Sequence, residues 1–319
     1  MPVEYPPRLL MCPPRHFEVS YSINPWMDRE AWRKYADTFA QTTEAEWLSL
    51  KALLEQFGAV VDLMVPVPEV PDLVFTANAA VVLDGKALLA RFRYPERRLE
   101  EPHFAAAIDA LVKRNILKSS VSLPAYIVLE GAGDCIWDPQ RELFWIGFGP
   151  RSSKQATMIV EDTFGFPTLS MDLVDARFYH LDTAFSVLSN GEIMYFKGAL
   201  SSSSLRMLYE HVNICDRIEV SEQDACSMCL NGIRIGRRLI FSSCSPRLQR
   251  QLADRGYFAS VTSLSSFMLS GGSAFGLTLR TGHASRRHPR ARPRTQRATP
   301  NLGDLHSYGM VTAADWIAA

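Results

Sequence analysis

The stretch Tyr126-Ile127-Val128-Leu129-Glu130-Gly131-Ala132-Gly133-Asp134-Cys135-Ile136-Trp137 sets two short apolar runs on either side of an acidic, glycine-containing turn. Short apolar and β-branched runs bounded by turn residues read as strands, which predicts strands at 126–129 and 135–137 and a third at 143–146. Outward from there the same texture repeats, with strands expected at 59–65, 79–83, 87–92, 184–188, 193–196, 232–235 and 238–241. Asp84-Gly85 and Asn190-Gly191 fall between such runs and are hairpin signals. Helices are expected at 96–113, 202–212 and 245–255. Before them, one long or broken helix over 26–57 carries Trp32, Tyr35, Phe39, Trp47, Leu50 and Leu54 near helical spacing and stops at Gly58. Strand pairs punctuated by single helices over about 280 residues describe an α/β domain made of small repeated units, although no sequence repeat is visible.

Composition narrows the class. The chain of 319 residues is 47% hydrophobic and 21% charged, which excludes collagen, coiled coil and wholesale disorder. Its 34 basic and 34 acidic side chains cancel, but unevenly. Between residues 281 and 300 lie Arg286, Arg287, Arg290, Arg292, Arg294 and Arg297 with no acid, and only Asp304 and Asp315 follow. The body at 1–280 therefore holds 28 basic and 32 acidic groups, and the tail at 281–319 is expected to be basic and disordered. No run approaches the roughly 20 apolar residues of a membrane span, and the first residues do not read as a secretory signal. Six cysteines in a chain this long fit a reducing compartment, so a cytoplasmic protein is expected.

Four clusters carry more polar and special-geometry residues than packing requires. Asn24 precedes Pro25 ahead of the first helix, and an N-cap would explain it equally well. Asp72 and Asn78 flank an apolar stretch, and a turn role would explain either singly. Glu130 and Asp134 bracket two glycines, which let backbone approach a ligand while both carboxylates aim at one place. His180 and Asp182, taken as strand residues, project to one face as a base beside an anion. Other chemistries have weak support. Cys226-x-x-Cys229 lacks the second pair of a zinc site, and the dinucleotide and nucleophile-elbow glycine motifs do not occur. The arginine tail has no interleaved aromatics and reads as a generic polyelectrolyte, so no nucleic-acid partner, metal or cofactor is expected.

Taken together, these clusters resemble the guanidino-group-modifying superfamily of amidinotransferases, arginine deiminases and dimethylarginine dimethylaminohydrolases, closest to the arginine dihydrolase-like branch. The resemblance is carried in order by Met11-Cys12-Pro13-Pro14, Ile23-Asn24-Pro25-Trp26-Met27, the run 72–79, Glu130-Gly131-Ala132-Gly133-Asp134, Gly149-Pro150-Arg151-Ser152, Phe178-Tyr179-His180-Leu181-Asp182-Thr183 and the glycine-rich run 270–279. It implies a five-bladed α/β propeller of ββαβ units, a single domain over 1–280. It also implies hydrolysis of a C–N bond in the guanidino group of arginine or a close derivative, with a methylarginine or citrulline-like compound as the other candidate ligands.

The resemblance implies a role for each residue. His180 is the acid and base, and Glu130 its electrostatic partner and a guanidinium contact. Asp72 and Asp182 are further guanidinium contacts, Asn24 and Asn78 the amides of the dihydrolase branch, and Arg97 and Arg151 the grip on the substrate carboxylate. The position that is a nucleophilic cysteine in the family is Gly276 here, so the chemistry is expected to be impaired. Two alternatives stay open beside the hydrolase: a non-catalytic guanidino-binding protein, and an amidinotransferase. Self-association is also left open.

Overall fold

A computed structural model of the chain describes residues 6–286 together with Met310–Val311. Strand β1 (Arg8–Met11) runs parallel to β2 (Val60–Met64) with Leu9 opposite Val61, and helices α1 (Arg29–Lys34) and α2 (Ala36–Gln56) form the crossover between them. The long helix expected there is broken at Tyr35, which ends one helix and begins the next. Asp28, not Asn24, caps α1, its side chain accepting from the amides of Glu30 and Ala31.

From here one arrangement recurs: two antiparallel strands, a helical crossover, and a third strand parallel to the second. The next unit is β3 (Ala80–Leu83), β4 (Lys86–Leu89), α3 (Pro95–Arg98), α4 (Glu101–Lys113) and β5 (Ser119–Val121). Its hairpin turns on Asp84 and Gly85, both at positive φ (55° and 81°), the pattern a two-residue type I′ turn demands. It is followed by β6 (Cys135–Asp138), β7 (Leu143–Phe148), α5 (Ala156–Phe164) and β8 (Thr168–Asp172). A short turn, α6 (Leu181–Ala184), leads into β9 (Phe185–Val187), β10 (Ile193–Tyr195), α7 (Ser202–His211) and β11 (Arg217–Glu219). After α8 (Glu222–Cys226) come β12 (Ile233–Ile235), β13 (Arg238–Phe241), α9 (Pro246–Ala253) and β14 (Phe258–Val261). Finally α10 (Ser265–Met268) precedes β15 (Leu279–Arg280), which pairs antiparallel with β1, so the C-terminal strand completes the sheet the N-terminus began. Met310–Val311 adds an antiparallel pair to β2. Among the described residues the result is four three-stranded sheets and one of four strands.

The helices α2 and α4 each bury one face against a sheet. Trp47, Leu50 and Leu54 of α2 pack with Leu9 and Met11 of β1, and Phe104, Ile108 and Leu111 of α4 with Val82 and Ala87. Each such buried side chain is worth about 1.5–3 kcal/mol of transfer free energy.

Two expectations fail for identifiable reasons. Residues 126–129 are not a strand: the Ile127 amide folds back on the Pro124 carbonyl at 3.0 Å, and Leu129 makes only an isolated bridge to Arg91. His180 and Asp182 do not lie on a strand either, because His180 is extended and Leu181–Ala184 is a helical turn. The chain also keeps its packing past residue 280. Thr281 bonds to the Arg8 carbonyl, Ser285 to the carboxylate of Asp84, and the amide of Arg286 to Glu142. Residues 287–309 and 312–319, the greater part of the expected tail, lie outside the described residues.

The first strand of each unit is entered through a short turn, and these turns close into a ring. Asn78, in the turn Thr76–Ala79 before β3, donates its amide to the Glu130 carbonyl at 3.0 Å. Past the turn Gly131–Gly133 before β6, Asp134 accepts the Leu181 amide at 3.0 Å. The Asp182 carbonyl accepts from Asn231, in the turn Cys229–Asn231 before β12, at 3.4 Å. The Asn231 carbonyl accepts from Phe275 at 2.9 Å, and the Gly276 carbonyl accepts from Ala77 at 3.1 Å, which returns to the start.

Candidate active site

That ring of turns brings the candidate residues together. It lines a cavity of about 20 Å³, room for roughly one water, walled by Asp72, Asn78, His180, Asp182, Asn231 and Gly276, with Asn24, Arg97 and Arg151 also at its edge. Eight of the nine residues singled out in the sequence meet at one buried place. Glu130 is the ninth, and it stands behind His180 rather than in the cavity wall.

Glu130 is fully buried and takes three donors. Its Oε2 lies 2.7 Å from His180 Nε2 and 2.8 Å from Arg151 Nη1, while Oε1 accepts the Arg93 amide at 3.0 Å. Burial alone would raise its pKa, but the Arg151 charge and the His180 bond outweigh it and hold the carboxyl well below the usual range. An ionised Glu130 fixes the proton of neutral His180 on Nε2. Nδ1 is then the nitrogen free to accept a proton. Gly133 makes room on that side. A Cβ there would come within 2.3 Å of the Asn78 amide nitrogen and 3.4 Å of His180 Nδ1.

The other two acids differ in their partners. Asp72 accepts from Tyr21 Oη at 2.7 Å and Ser270 Oγ at 3.0 Å, and Arg97 Nε stands 4.0 Å away. Asp182 has a buried Oδ1 with no hydrogen-bond partner. Burial first, and then the charge of Asp134, push Asp182 well above the usual carboxylate range. An entering cation would act in the opposite direction and favour the ionised form.

Arg97 and Arg151 reach the cavity already paired. Arg97 holds Glu100 through two bonds of 2.7 Å, donates to Asn78 Oδ1 at 3.0 Å and stacks on Phe92. Arg151 holds Glu130 and lies between the rings of Tyr94 and Tyr179. Asn24 bonds the Ser270 carbonyl at 3.0 Å and accepts the Trp26 amide at 2.9 Å, which ties the N-terminal segment to the glycine-rich run.

Gly276 stands where the cavity meets that run. None of the six cysteines lines the cavity. Burial raises the thiols of Cys12, Cys135, Cys229 and Cys244, which keeps them protonated and unreactive. Sequence reasoning missed Tyr21 and Asn231. Asn231 Oδ1 accepts the amides of Ser273 (2.7 Å) and Gly276 (3.2 Å), so it sets the shape of the run that carries position 276. A usable signal existed: like Asn78, Asn231 occurs immediately before a predicted strand.

The fold is that of the guanidino-group-modifying α/β proteins. A family model described as N,N dimethylarginine dimethylhydrolase, eukaryotic, matches residues 14–273, and the chain belongs to that family of hydrolytic enzymes. It is 36% identical over 273 residues to the bifunctional arginine dihydrolase/ornithine cyclodeaminase AgrE of Nostoc, a match covering 86% of this chain and 37% of that protein. It is 33% identical over 272 residues to the N(G),N(G)-dimethylarginine dimethylaminohydrolase of Mycobacterium tuberculosis, covering 85% of each. Among solved structures, the N-terminal domain of the cyanobacterial arginine dihydrolase ArgZ bound to its substrate superposes with a TM-score of 0.79 at 34% identity, over 87% of this chain and 99% of that one. A dimethylarginine dimethylaminohydrolase adduct matches at 0.67 with 18% identity, over 86% and 99% of the two chains, which speaks to the fold alone. The chain spans about two fifths of the bifunctional curated relatives it matches. Among the described residues no helix is long and apolar enough to cross a membrane.

Proposed function

We propose that this chain is a guanidino-group C–N hydrolase scaffold for arginine or a close derivative, with its catalytic step impaired by the glycine at position 276. The five sheets are read as the blades of an α/β propeller around the ring of turns. The observation that carries the functional reading is the buried triad Arg151–Glu130–His180 aimed at a cavity whose wall includes Gly276.

In this reading the substrate guanidinium lies between Asp72 and Asp182, and its arrival ionises Asp182 by supplying the cation its buried oxygen lacks. A thiol at position 276 would pass its proton to His180 Nδ1 and add as the thiolate to the guanidinium carbon. His180 would then give that proton to the departing nitrogen through Nδ1 and later activate water to release the product. Asn78 and Asn24 hold the substrate edges, and Arg97 and Arg151 face its carboxylate. Without the side chain at 276 only positioning and charge remain, and loss of a covalent nucleophile typically costs several orders of magnitude in rate. Six free cysteines, four of them buried, support cytoplasmic residence.

The test incubates the purified protein and a Gly276→Cys variant with arginine, N(G),N(G)-dimethylarginine and citrulline, followed by ammonia, dimethylamine and product assays. Turnover of one of these by the variant supports the reading, and no turnover of any removes the substrate assignment.

A further inference from the structure

Two carboxylates bracket the glycine turn before β6, and the reaction outlined above uses only Glu130. Asp134 is fully buried and lies outside the cavity wall. Its side-chain bonds nevertheless converge on His180. Oδ1 accepts the Leu181 amide at 3.0 Å, which pins the backbone one residue past the histidine. Oδ2 accepts the hydroxyl of Ser152 at 2.6 Å and stands 3.9 Å from His180 Nε2. The Ser152 oxygen in turn accepts the Glu130 amide at 3.0 Å, so the two acids that face Nε2 are tied to each other. The packing of β7 limits any movement of the group. A Cβ at Gly147 would fall 2.8 Å from Asp134 Oδ1 and 2.7 Å from Leu181 Cβ.

Resting on the reading of His180 as acid and base, we infer that Asp134 is a further positioning residue for that histidine and supplies a second negative charge that stabilises its imidazolium. When His180 takes a proton on Nδ1 while Nε2 keeps the proton directed at Glu130, the ring becomes a cation buried away from water. Glu130 compensates it only in part, because the same carboxylate oxygen already receives Arg151 at 2.8 Å. Asp134 is bonded by a hydroxyl and an amide rather than by an arginine, so its charge is directed to the ring.

Burial raises the Asp134 carboxyl, and the His180 charge opposes that rise, so the two groups favour each other's ionised forms. The remaining charged groups near the ring are Asp72 and Asp182 in the cavity wall and Arg97 and Arg151 at its edge. Tyr179 lies against the ring at 4.8 Å with its hydroxyl donated to the Gly271 carbonyl.

Asp134→Asn separates charge from structure. An asparagine there can still accept the Leu181 amide through Oδ1 and donate Nδ2 to the Ser152 oxygen, so the bonds stay and the charge goes. The experiment follows the ring nitrogens of His180 across pH by heteronuclear NMR in the full chain, assigned as the signals lost in His180→Gln. In Asp134→Asn the ring is expected to need at least tenfold more acid to become half protonated than in the native chain. In the Gly276→Cys background the same substitution is expected to lower kcat at least tenfold and to leave KM within twofold, since Asp134 lies outside the cavity wall. An unchanged His180 titration, or an unchanged kcat in the Gly276→Cys background, overturns the inference. Failure of Asp134→Asn to fold, with its bonds kept, assigns the residue to the fold alone and overturns it as well. Silence of Gly276→Cys on every guanidino compound removes the proposed function. The titration, which needs neither a thiol nor a substrate, then decides by itself whether Asp134 acts on His180.

Discussion

His180 Nε2 lies 2.7 Å from Glu130 Oε2, and the same oxygen receives Arg151 Nη1 at 2.8 Å, so one buried carboxylate serves a base and a permanent cation together. Removing one partner of a buried charge pair leaves the other uncompensated, and Glu130→Gln is expected to cost about 3 kcal/mol of unfolding free energy at neutral pH. The sign with pH follows from the lowered folded-state value. Glu130's contribution is present above the ordinary carboxylate value of 4.5 and is lost as pH falls from there toward the folded value. Urea unfolding of native and variant protein should therefore show a gap that narrows in acid, and an equal gap at both pH values would contradict the ion-pair account.

Asp182 titrates in the opposite sense. Because burial raises its pKa while the cavity is closed, binding of cationic arginine is expected to lower it, to release protons where the group is still partly protonated, and to tighten as pH rises. Calorimetric titration in buffers of different ionisation enthalpy measures that proton directly. Asp182→Asn should abolish the release, and a native chain that binds arginine with no proton exchange would refute the assignment.

Asn231 holds the run that carries position 276 by two backbone amides. Asn231→Ala leaves both without an acceptor and is expected to destabilise by about 2–4 kcal/mol. Hydrogen exchange at the amides of Ser273 and Gly276 should accelerate well beyond that of the strands. In the Gly276→Cys background, turnover should fall at least tenfold.

Glu46 provides a contrast far from the cavity. From α2 its carboxylate accepts the hydroxyl of Ser263 at 2.6 Å and the amides of Ser265 and Ser266 at 2.9 and 3.0 Å, capping the start of α10 from more than 200 residues away. Glu46→Ala is expected to lower stability by about 2 kcal/mol with arginine affinity unchanged, which a thermal melt and a titration on the same sample would check.

What could be read in advance follows a physical rule. From β3 onward the first two strands of each unit were legible because they are largely buried and apolar, as in Phe144-Trp145-Ile146, whereas β1 went unread. The third strands β5, β8, β11 and β14 were not, since they are short, half-exposed edges such as Ser119–Val121 with too little alternation to recognise. The site residues were legible as polar groups in apolar company, and the helical turn under His180 and Asp182 was not, because a single turn has no period. Tyr21 escaped notice for a different reason. A tyrosine at the edge of an apolar cluster is ordinary until its hydroxyl is seen 2.7 Å from Asp72.

The central claim is that everything the reaction needs is in place except a side chain at position 276. The most direct measurement compares ammonia release from L-arginine by the native chain and by Gly276→Cys at neutral pH. A rise on the order of a thousandfold or more in the variant, lost again when His180→Gln is added, is the predicted result. A folded Gly276→Cys protein no faster than the native chain would contradict it.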